Sequence, residues 1–329
     1  MNPSPVLAPA PLLSDASRGW LLGALGVMIF ALTIPMTRLA SGSLAAPQLS
    51  PVFIAFGRAA LAGLLSLAWL LAVHAPWPRP SQWRYLLLSS LGVVFGWPLL
   101  LGFAVQRVDA VHAAVVSGLL PMGTAVMGAL LLRQRPSRGF WLCALAGSLL
   151  VLGYAAWQGG AGLQLADGLL LGAVLCSGFG YVQGARLSAP QGDGQPPMAP
   201  EQVIGWVLLA CLPITLPVGL LSWPEQPVLP QAWGGFLYVS VFSMWLGFFA
   251  WYRGLALGGM LRVSQVQLLQ PFLSMWLAVP LLGERLDAAT VVFSLAVLAT
   301  VWVSRRQRTA GAVPSSQAAQ AAQAARETA

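Results

Sequence analysis

The sequence contains no lysine and little charge of any kind. All 17 basic residues are arginines, nine residues are acidic, and charged residues make up 8% of the 329-residue chain. Since a soluble globular domain carries about 25% charged residues, this composition excludes an ordinary water-soluble fold. The net charge of +8 does not indicate a nucleic-acid partner, because the arginines lie at the ends of apolar runs rather than in one patch.

Cysteine, histidine and catalytic motifs are also sparse. The cysteines Cys143, Cys176 and Cys211 lie in apolar runs without a CxxC spacing, and the histidines His74 and His112 are not spaced as metal ligands. Nucleotide-binding loops and a catalytic-serine motif are absent from the sequence. We therefore predict no enzyme, no metal site and no cofactor, and we interpret the cysteines as small core residues.

Hydrophobic sequence is what the chain has in abundance. Hydrophobic residues make up 57% of it, and the mean hydropathy is +0.75. A helix needs about 20 apolar residues to cross the hydrocarbon core of a bilayer. We predict an all-α integral membrane protein with ten transmembrane helices. The predicted spans are Gly19–Ala40, Pro51–His74, Tyr85–Gln106, Ala110–Leu132, Phe140–Trp157, Gly168–Leu187, Val203–Leu221, Trp233–Trp251, Met260–Leu282 and Ala288–Val303.

The distribution of arginine predicts the orientation in the membrane. Ten spans place both termini on one side, and only Arg38, Arg107 and Arg285 then fall beside the loops of the other side. The arginine-rich side is the cytoplasm by the positive-inside rule. Arginine without lysine, together with abundant alanine, indicates a GC-rich bacterial genome. We therefore predict a multi-pass protein of a bacterial inner membrane, with cytoplasmic termini and the lipid bilayer as its surroundings.

Two apolar segments, in the fourth and ninth predicted spans, repeat each other. GLLPMGTAVMGALLLRQRPS begins at Gly118, LLQPFLSMWLAVPLLGERLD begins at Leu268, and Pro121 aligns with Pro271. The first segment ends in a basic tag and the second in a tag with two acids. Five spans in each half would insert the second copy upside down, so that the two tags face opposite sides. The sequence therefore predicts a five-plus-five inverted repeat.

The repeat divides the chain into four parts. They are a cytoplasmic N-terminal tail at 1–18, a first five-helix repeat at 19–158, a second at 166–304 and a cytoplasmic Ala/Gln-rich tail at 305–329. Secondary transporters built from inverted repeats bind their substrate near the middle of the membrane, where the repeats meet. We expect a cavity for a small-molecule substrate at that place.

Prolines within the spans are candidate helix breaks. Pro35, Pro98, Pro121 and Pro271 each remove a hydrogen bond from a predicted helix. In lipid, the freed carbonyl is costly unless it lines a cavity or finds a protein partner. A packing kink satisfied by a neighbouring helix is the simpler interpretation for any one proline, whereas the matched pair Pro121 and Pro271 fits a cavity equally well.

Ionisable groups are nearly absent from the predicted spans. Arg58 is the one charge well within a span. It could meet a substrate carboxylate, but we favour a structural role in which it snorkels outward or binds helix carbonyls. Since no acidic residue lies within these spans, the carboxylate used by small cation–proton antiporters is missing. His112 and Glu284, near the outer ends of their spans, are the remaining candidates for proton coupling. These features favour a neutral or zwitterionic substrate, moved by facilitated flux or weakly coupled exchange.

Two stretches carry a family resemblance: Leu120-Pro121 through RQRP, and WYRGLALGG into QLLQPFLSMWLAVPLLGERL. With ten predicted spans, the chain resembles the drug/metabolite transporter superfamily, specifically the EamA-type exporters, over about residues 19–304. In that family each half typically ends its fourth span with a leucine-rich run and then Gly-Glu-Arg-Leu. The second half matches at 283–286, whereas the first half has Gln134 in place of the glutamate. If that glutamate caps the next helix, the first half lacks the anion.

The resemblance implies a cavity lined by the first, third, fourth, sixth, eighth and ninth spans, with the fifth and tenth packed outside. Interfacial positions for the aromatic residues and interhelical hydrogen bonding for the amides are the structural alternatives. The candidate lining residues in these spans are Thr33, Met36, Trp97, Ser117, Tyr181, Gln183, Trp245, Tyr252, Gln267 and Gln270.

The function expected from these features is secondary transport. We expect export of small neutral or zwitterionic metabolites, such as amino acids, by alternating access. A multidrug or toxicant exporter of the same fold is the first alternative, and a non-transporting membrane scaffold or sensor is the alternative from another class. The sequence leaves the substrate, the direction and the coupling ion open, and it is compatible with a homo-oligomer.

The inverted repeat predicts that its two tags lie on opposite faces of the membrane. Gln134→Cys and Glu284→Cys are each introduced into a variant whose three native cysteines have been replaced. A membrane-impermeant thiol reagent added to intact cells should label position 284 and leave position 134 unlabelled until the cells are permeabilised. Labelling of both positions in intact cells would contradict the inversion.

Overall fold

The computed structural model describes residues 15–131, 137–158, 164–188, 196–258 and 266–306, and within these ranges it contains helices and no strand. Seven helices are long and apolar enough to cross a membrane, and three shorter apolar helices accompany them. The all-helical prediction is confirmed for these residues, whereas the ten-span count and the inversion stay predictions. In chain order the helices are α1 Ser17–Ser41, α2 Pro51–Ala72, α3 Pro80–Val105, α4 Ala110–Leu131, α5 Arg138–Gln158, α6 Leu165–Leu187, α7 Pro200–Leu221, α8 Pro230–Gly254, α9 Val266–Leu282 and α10 Ala288–Arg306.

Proline determines where several helices begin. Its fixed φ suits the first helical turn, and its missing N–H would have no partner there in any case. Ser50 completes the start of α2, because its Oγ accepts a hydrogen bond from the N–H of Phe53 at 3.0 Å. The prolines at the first position of a helix are Pro51, Pro80, Pro200 and Pro230.

The most extensive helix contacts join the first five helices to the last five. α2 packs on α7, α1 on α8, α3 and α4 on α6, and α5 on α10. Suppose that each helix of the first half is equivalent to the helix five places later, so that α1 is equivalent to α6 and α5 to α10. The α1–α8 contact is then equivalent to the α6–α3 contact. The α2–α7 and α5–α10 contacts are each made between two equivalent helices. A two-fold repeat of a five-helix unit predicts this pattern.

Two matched helices carry the same departure from α-helical geometry. α3 is π-helical over Leu91–Gly96 and α8 over Tyr238–Leu246. π-helical segments are rare and are often found at functional sites. In α3 the segment also brings Gly92 against α6, since a Cβ at this position would lie 2.1 Å from the carbonyl oxygen of Cys176. The π-helical part of α3 therefore depends on glycine for its contact with the second half.

The predicted helix-breaking prolines lie just after interruptions of the helices rather than inside continuous turns. α4 is interrupted between Ser117 and Leu120, and α9 changes from a 3₁₀ turn to an α-helix at Gln270. Pro121 and Pro271 therefore occupy the first turn of a new helical segment, where a missing N–H costs little. Pro98 likewise follows the π-helical segment of α3.

Pro35 is satisfied by a neighbouring helix. α1 is interrupted at Leu32, and Pro35 lies in the first turn of the segment that follows. A proline here removes the hydrogen bond to the carbonyl of Ala31, four residues earlier. The hydroxyl of Ser274 in α9 donates to that same carbonyl. The break in α1 is thus coupled to the second half of the chain, at the centre of the bundle.

Candidate substrate site

A small cavity of about 40 Å³ lies at the centre of the bundle, between the two halves. It lies beside the interruption of α1 and the π-helical segments of α3 and α8. α5 and α10 contribute none of its lining among the residues the structure describes. The lining residues are Phe30, Thr33, Ile34, Arg58, Val93, Trp97, Leu120, Ser177, Tyr181, Ser243, Met244, Phe248 and Gln270.

Arg58 places an uncompensated positive charge in this cavity. Its side chain is buried, with the residue 2% exposed, and Nη2 donates to the Oγ of Ser243 at 3.2 Å. Nε and Nη1 have no hydrogen-bond partner within the described ranges, and no acidic side chain from those ranges lines the cavity. The expectation that Arg58 snorkels outward is wrong, because the side chain is buried against the cavity. The other structural interpretation, binding of helix carbonyls by the guanidinium, has no such hydrogen bond within the described residues.

Hydroxyl and aromatic groups surround the guanidinium. The hydroxyls of Thr33 and Ser243 are 2.7 Å apart, which joins α1 to α8 beside Arg58. Phe30 and Phe248 meet edge to face, with ring centroids 5.1 Å apart. The cavity therefore has one polar side around Arg58 and an aromatic wall.

Gln270 links the central cavity to a second, smaller cavity of about 10 Å³. Ser117, Gln267, Pro121 and Pro271 line this smaller space, next to the interruptions of α4 and α9. Among the described residues, the Oγ of Ser117 and the Oε1 of Gln270 are buried without a hydrogen-bond partner. Both interruptions thus face a space that retains free polar atoms.

The predicted lining residues divide into two groups. Thr33, Trp97, Tyr181 and Gln270 line the central cavity, while Ser117, Gln267 and Gln270 line the smaller one. The other four predicted lining residues line neither cavity. Tyr252 and Trp245 pack in an aromatic cluster with Phe248 and Phe249, and Met36 packs on a separate core near Phe53. Gln183 accepts a hydrogen bond from Arg186.

Ser177 and Ser243 are cavity residues that sequence reasoning missed. Ser243 lies within the stretch VFSMW, which echoes VFGW in the third predicted span. Its position in a repeated motif was the available signal, but a serine in an apolar helix is more often an interhelical contact. Ser177 carried no comparable signal.

A polar vestibule of about 1040 Å³ opens at one end of the bundle. It lies where α1, α3, α5 and α9 end and where α4, α6, α8 and α10 begin. Arg38, Arg107 and Arg285, the arginines predicted to face outside, all line it. Asp109, on the same wall, is 3.9 Å from Arg38. The vestibule is therefore at the arginine-poor end of the molecule.

Glu284 joins the two halves at this vestibule. Its two carboxylate oxygens accept hydrogen bonds from the N–H groups of Ala110 and Val111, each at 2.8 Å. Partial burial raises the pKa of Glu284, while the two N–H donors oppose the rise. The sequence raised the possibility that Glu284 caps the helix that follows it, and this is wrong. Glu284 caps α4, whereas α10, the helix that follows, is capped by Asp287. The matching Gln134 lies outside the described residues.

His112 lies at the floor of the vestibule and contacts a buried acid. Its Nε2 is 2.7 Å from Oδ1 of Asp167 in α6, and Asp167 is 3% exposed. The expectation that no acidic residue lies within the spans is wrong here, because α6 begins at Leu165 rather than Gly168. The extra turn is favoured because the other oxygen of Asp167 accepts from the N–H of Gln164 and caps the helix.

Comparison with known families identifies the fold just described. The model of the EamA-like transporter family matches residues 17–155 and matches again at residues 164–306. The chain belongs to the EamA-like transporter family. This EamA-like protein is therefore a transporter of the drug/metabolite transporter superfamily.

Individual relatives agree with the family. Uncharacterized transporter YdeK of Bacillus subtilis (strain 168) is 40% identical over 296 residues, covering 89% of this chain and 99% of its own length. Protein PecM of Dickeya dadantii (strain 3937) is 28% identical over 253 residues, covering 75% of this chain and 80% of its own. A solved structure described only as "Crystal structure of protein" has a TM-score of 0.58 at 18% identity. It covers 89% of this chain and 99% of its own, which shows a shared fold. The family and the name of the Bacillus subtilis relative indicate transport rather than enzymatic activity.

In this EamA-like transporter, the buried charge of Arg58 should lower the thermal stability of the protein while the cavity is empty. Replacing a buried charge by an apolar side chain of similar volume is often neutral or stabilising by about 1–4 kcal/mol. We expect Arg58→Met to raise the midpoint of thermal unfolding in detergent. Ser243→Ala, which removes a hydrogen-bond partner of the guanidinium, should lower it. A midpoint for Arg58→Met well below that of the wild type would show that Arg58 is a structural residue with a protein partner.

Proposed function

We propose that the protein is a secondary transporter of small zwitterionic metabolites, of which amino acids with apolar side chains fit best, and that it works by alternating access. The observation that carries the proposal is the buried guanidinium of Arg58, which faces the central cavity with two of its nitrogens unpaired in the described part of the chain. A permanent cation in an apolar bundle is costly unless it meets an anion. A substrate carboxylate supplies that anion with matching hydrogen-bond geometry.

Gln270 supports a zwitterion rather than a simple anion. Its Oε1 is a buried acceptor without a partner in the described residues, and it belongs to the same cavity as Arg58. An ammonium group has three donors and no acceptor, so it can satisfy this oxygen. The cavity thus offers free donors and a free acceptor, which are complementary to the two charged ends of an amino acid.

The aromatic wall suits an apolar side chain. Phe30, Trp97 and Phe248 line the cavity together with aliphatic residues. Burial of apolar area on these rings contributes about 25 cal/mol per Å². Since no acidic side chain of the described ranges lines the cavity, a lipophilic cation would meet the charge of Arg58 without a counter-ion. This disfavours the alternative of a multidrug cation exporter.

Alternating access follows from the size of the cavity. Ligand pockets commonly measure about 300–1,000 Å³, whereas this cavity measures about 40 Å³. Binding of an amino acid therefore requires the halves to separate around the cavity. Rigid-body rocking of two repeats around a central site provides such a movement in secondary transporters.

Direction and location complete the proposal. The arginine-poor end that carries the vestibule faces the outside of a bacterial inner membrane, and both termini are cytoplasmic. We assign export because the sequence motifs resemble EamA-type exporters. The inverted repeat of ten helices supplies two similar gates, one for each side.

Counterflow in proteoliposomes tests this function. Vesicles loaded with unlabelled L-leucine should take up radiolabelled L-leucine through the wild-type protein, and excess L-leucinamide, which lacks the carboxylate, should compete poorly. Arg58→Gln should reduce counterflow tenfold or more, because a hydrogen bond to a charged group contributes about 1.5–3 kcal/mol.

Arg84→Gln is the matched control for this experiment. Arg84 is an exposed arginine at the opposite end of the bundle from the vestibule, and it contacts its neighbour Tyr85. The control should transport like the wild type. Equal counterflow by Arg58→Gln and wild type, or uptake of tetraphenylphosphonium in place of L-leucine, would contradict the proposal.

A further inference from the structure

The vestibule contains a second buried ionisable site, separate from Arg58. His112 lies in α4 of the first half and Asp167 in α6 of the second half. Nε2 of His112 is 2.7 Å from Oδ1 of Asp167, and both residues are buried, with exposures of 8% and 3%. Oδ2 of Asp167 accepts from the N–H of Gln164 at 2.8 Å. The pair therefore joins the two halves through a group that can gain or lose a proton.

Other ionisable groups face the pair from the helices that pack around α4. The Tyr154 ring of α5 is centred 5.3 Å from the His112 ring. The carboxylate of Glu284, after α9, contacts the N–H groups one and two residues before His112. The remaining charged residues of the vestibule wall lie at the ends of α1, α3 and α9 and at the starts of α4 and α10. They are Arg38, Arg107, Asp109, Arg285 and Asp287.

The pair has two protonation states that differ in charge. With an imidazolium and a carboxylate the pair is neutral, and release of one proton to the vestibule leaves a neutral imidazole beside the carboxylate, with a net charge of −1. Histidine is the side chain whose ordinary pKa lies nearest to neutral pH. Because His112 lines the vestibule, water there can exchange the proton without crossing the central cavity.

Rocking of the halves should change how tightly the pair holds its proton. The stabilisation of an imidazolium by a carboxylate depends on the distance between them. His112 and Asp167 belong to different halves, so a movement that closes the vestibule alters that distance or removes water from the pair. A proton held more tightly in one state than in the other is thermodynamically coupled to the exchange between the states.

We propose that His112 and Asp167 form the proton-binding site through which a proton gradient drives the transport cycle. This inference rests on the proposed transport function, because it assigns an energy source to that cycle. It replaces the expectation of facilitated flux or weak coupling. The alternative is a fixed hydrogen bond that only holds the halves together, and the tests below separate the two.

The first test measures proton binding directly, without substrate. The chain has two histidines, so the variant His74→Asn leaves His112 as the single ¹⁵N-labelled imidazole in an NMR titration. Asparagine suits position 74 because His74 has a left-handed backbone conformation with φ 49°. We expect the ¹⁵N shifts of the His112 ring to report reversible binding of one proton, and Asp167→Asn to change that response, because the carboxylate contacts the ring in the wild type. Ring shifts that show no change of protonation while the protein stays folded would overturn the proposal.

The second test measures coupling in proteoliposomes held at zero membrane potential. A gradient of one pH unit should drive accumulation of L-leucine by the wild type up to about tenfold for one proton per cycle. His112→Gln and Asp167→Asn should lose this accumulation and keep counterflow, which needs no proton gradient. Asp109→Asn, which changes an exposed acid of the same vestibule, should retain both activities.

The outcomes distinguish this inference from the proposed function. If the wild type shows counterflow but no accumulation, or if the two variants accumulate L-leucine as well as the wild type does, the proton site is overturned while the transport function stands. If the wild type shows no counterflow of L-leucine, the transport proposal fails, and the NMR titration alone decides whether the pair binds a proton.

Discussion

The rest of the site depends on one electrostatic constraint, the positive charge of Arg58 buried at the centre of an apolar bundle. Ser243 provides one hydrogen bond to it, and the described residues around the cavity provide no carboxylate. An arginine keeps its charge in proteins, so it cannot avoid the cost of burial by losing a proton. In the proposed function, a solute completes the cavity by bringing an anion to this charge. This links the stability of the empty protein to the chemistry of the solute it carries.

The helices are deformed where they meet this charge. α1 is interrupted at Leu32, and α3 and α8 carry π-helical segments on either side of the cavity. Such deformations leave polar backbone groups that lipid cannot satisfy, so they are tolerated only inside the protein. Ser274 shows how one of them is satisfied across the two halves. The same features that keep the cavity polar also give the bundle places where it can bend.

The sequence predicted the helices better than the directions in which their side chains point. Bilayer thickness sets the length of a spanning helix, so hydrophobic runs predicted where the helices lie. The matched prolines predicted an inverted repeat, which stays a prediction. Met36 and Trp245 line neither cavity; Met36 follows the break in α1, and Trp245 lies in the π-helical part of α8, so regular helical spacing is a poor guide to their direction. Arg58 was misjudged because its position along α2 says nothing about the cavity beside it. Asp167 was missed because the capping turn of α6 precedes the apolar run.

The most direct test of the central claim is an experimental structure of the protein in lipid nanodiscs with bound L-leucine. The account predicts that the cavity expands and that the substrate carboxylate lies within about 3.2 Å of the Arg58 guanidinium nitrogens. It also predicts that the ammonium group faces Gln270. Substrate bound away from Arg58, or Arg58 paired with an acidic side chain of the protein in that complex, would contradict the account.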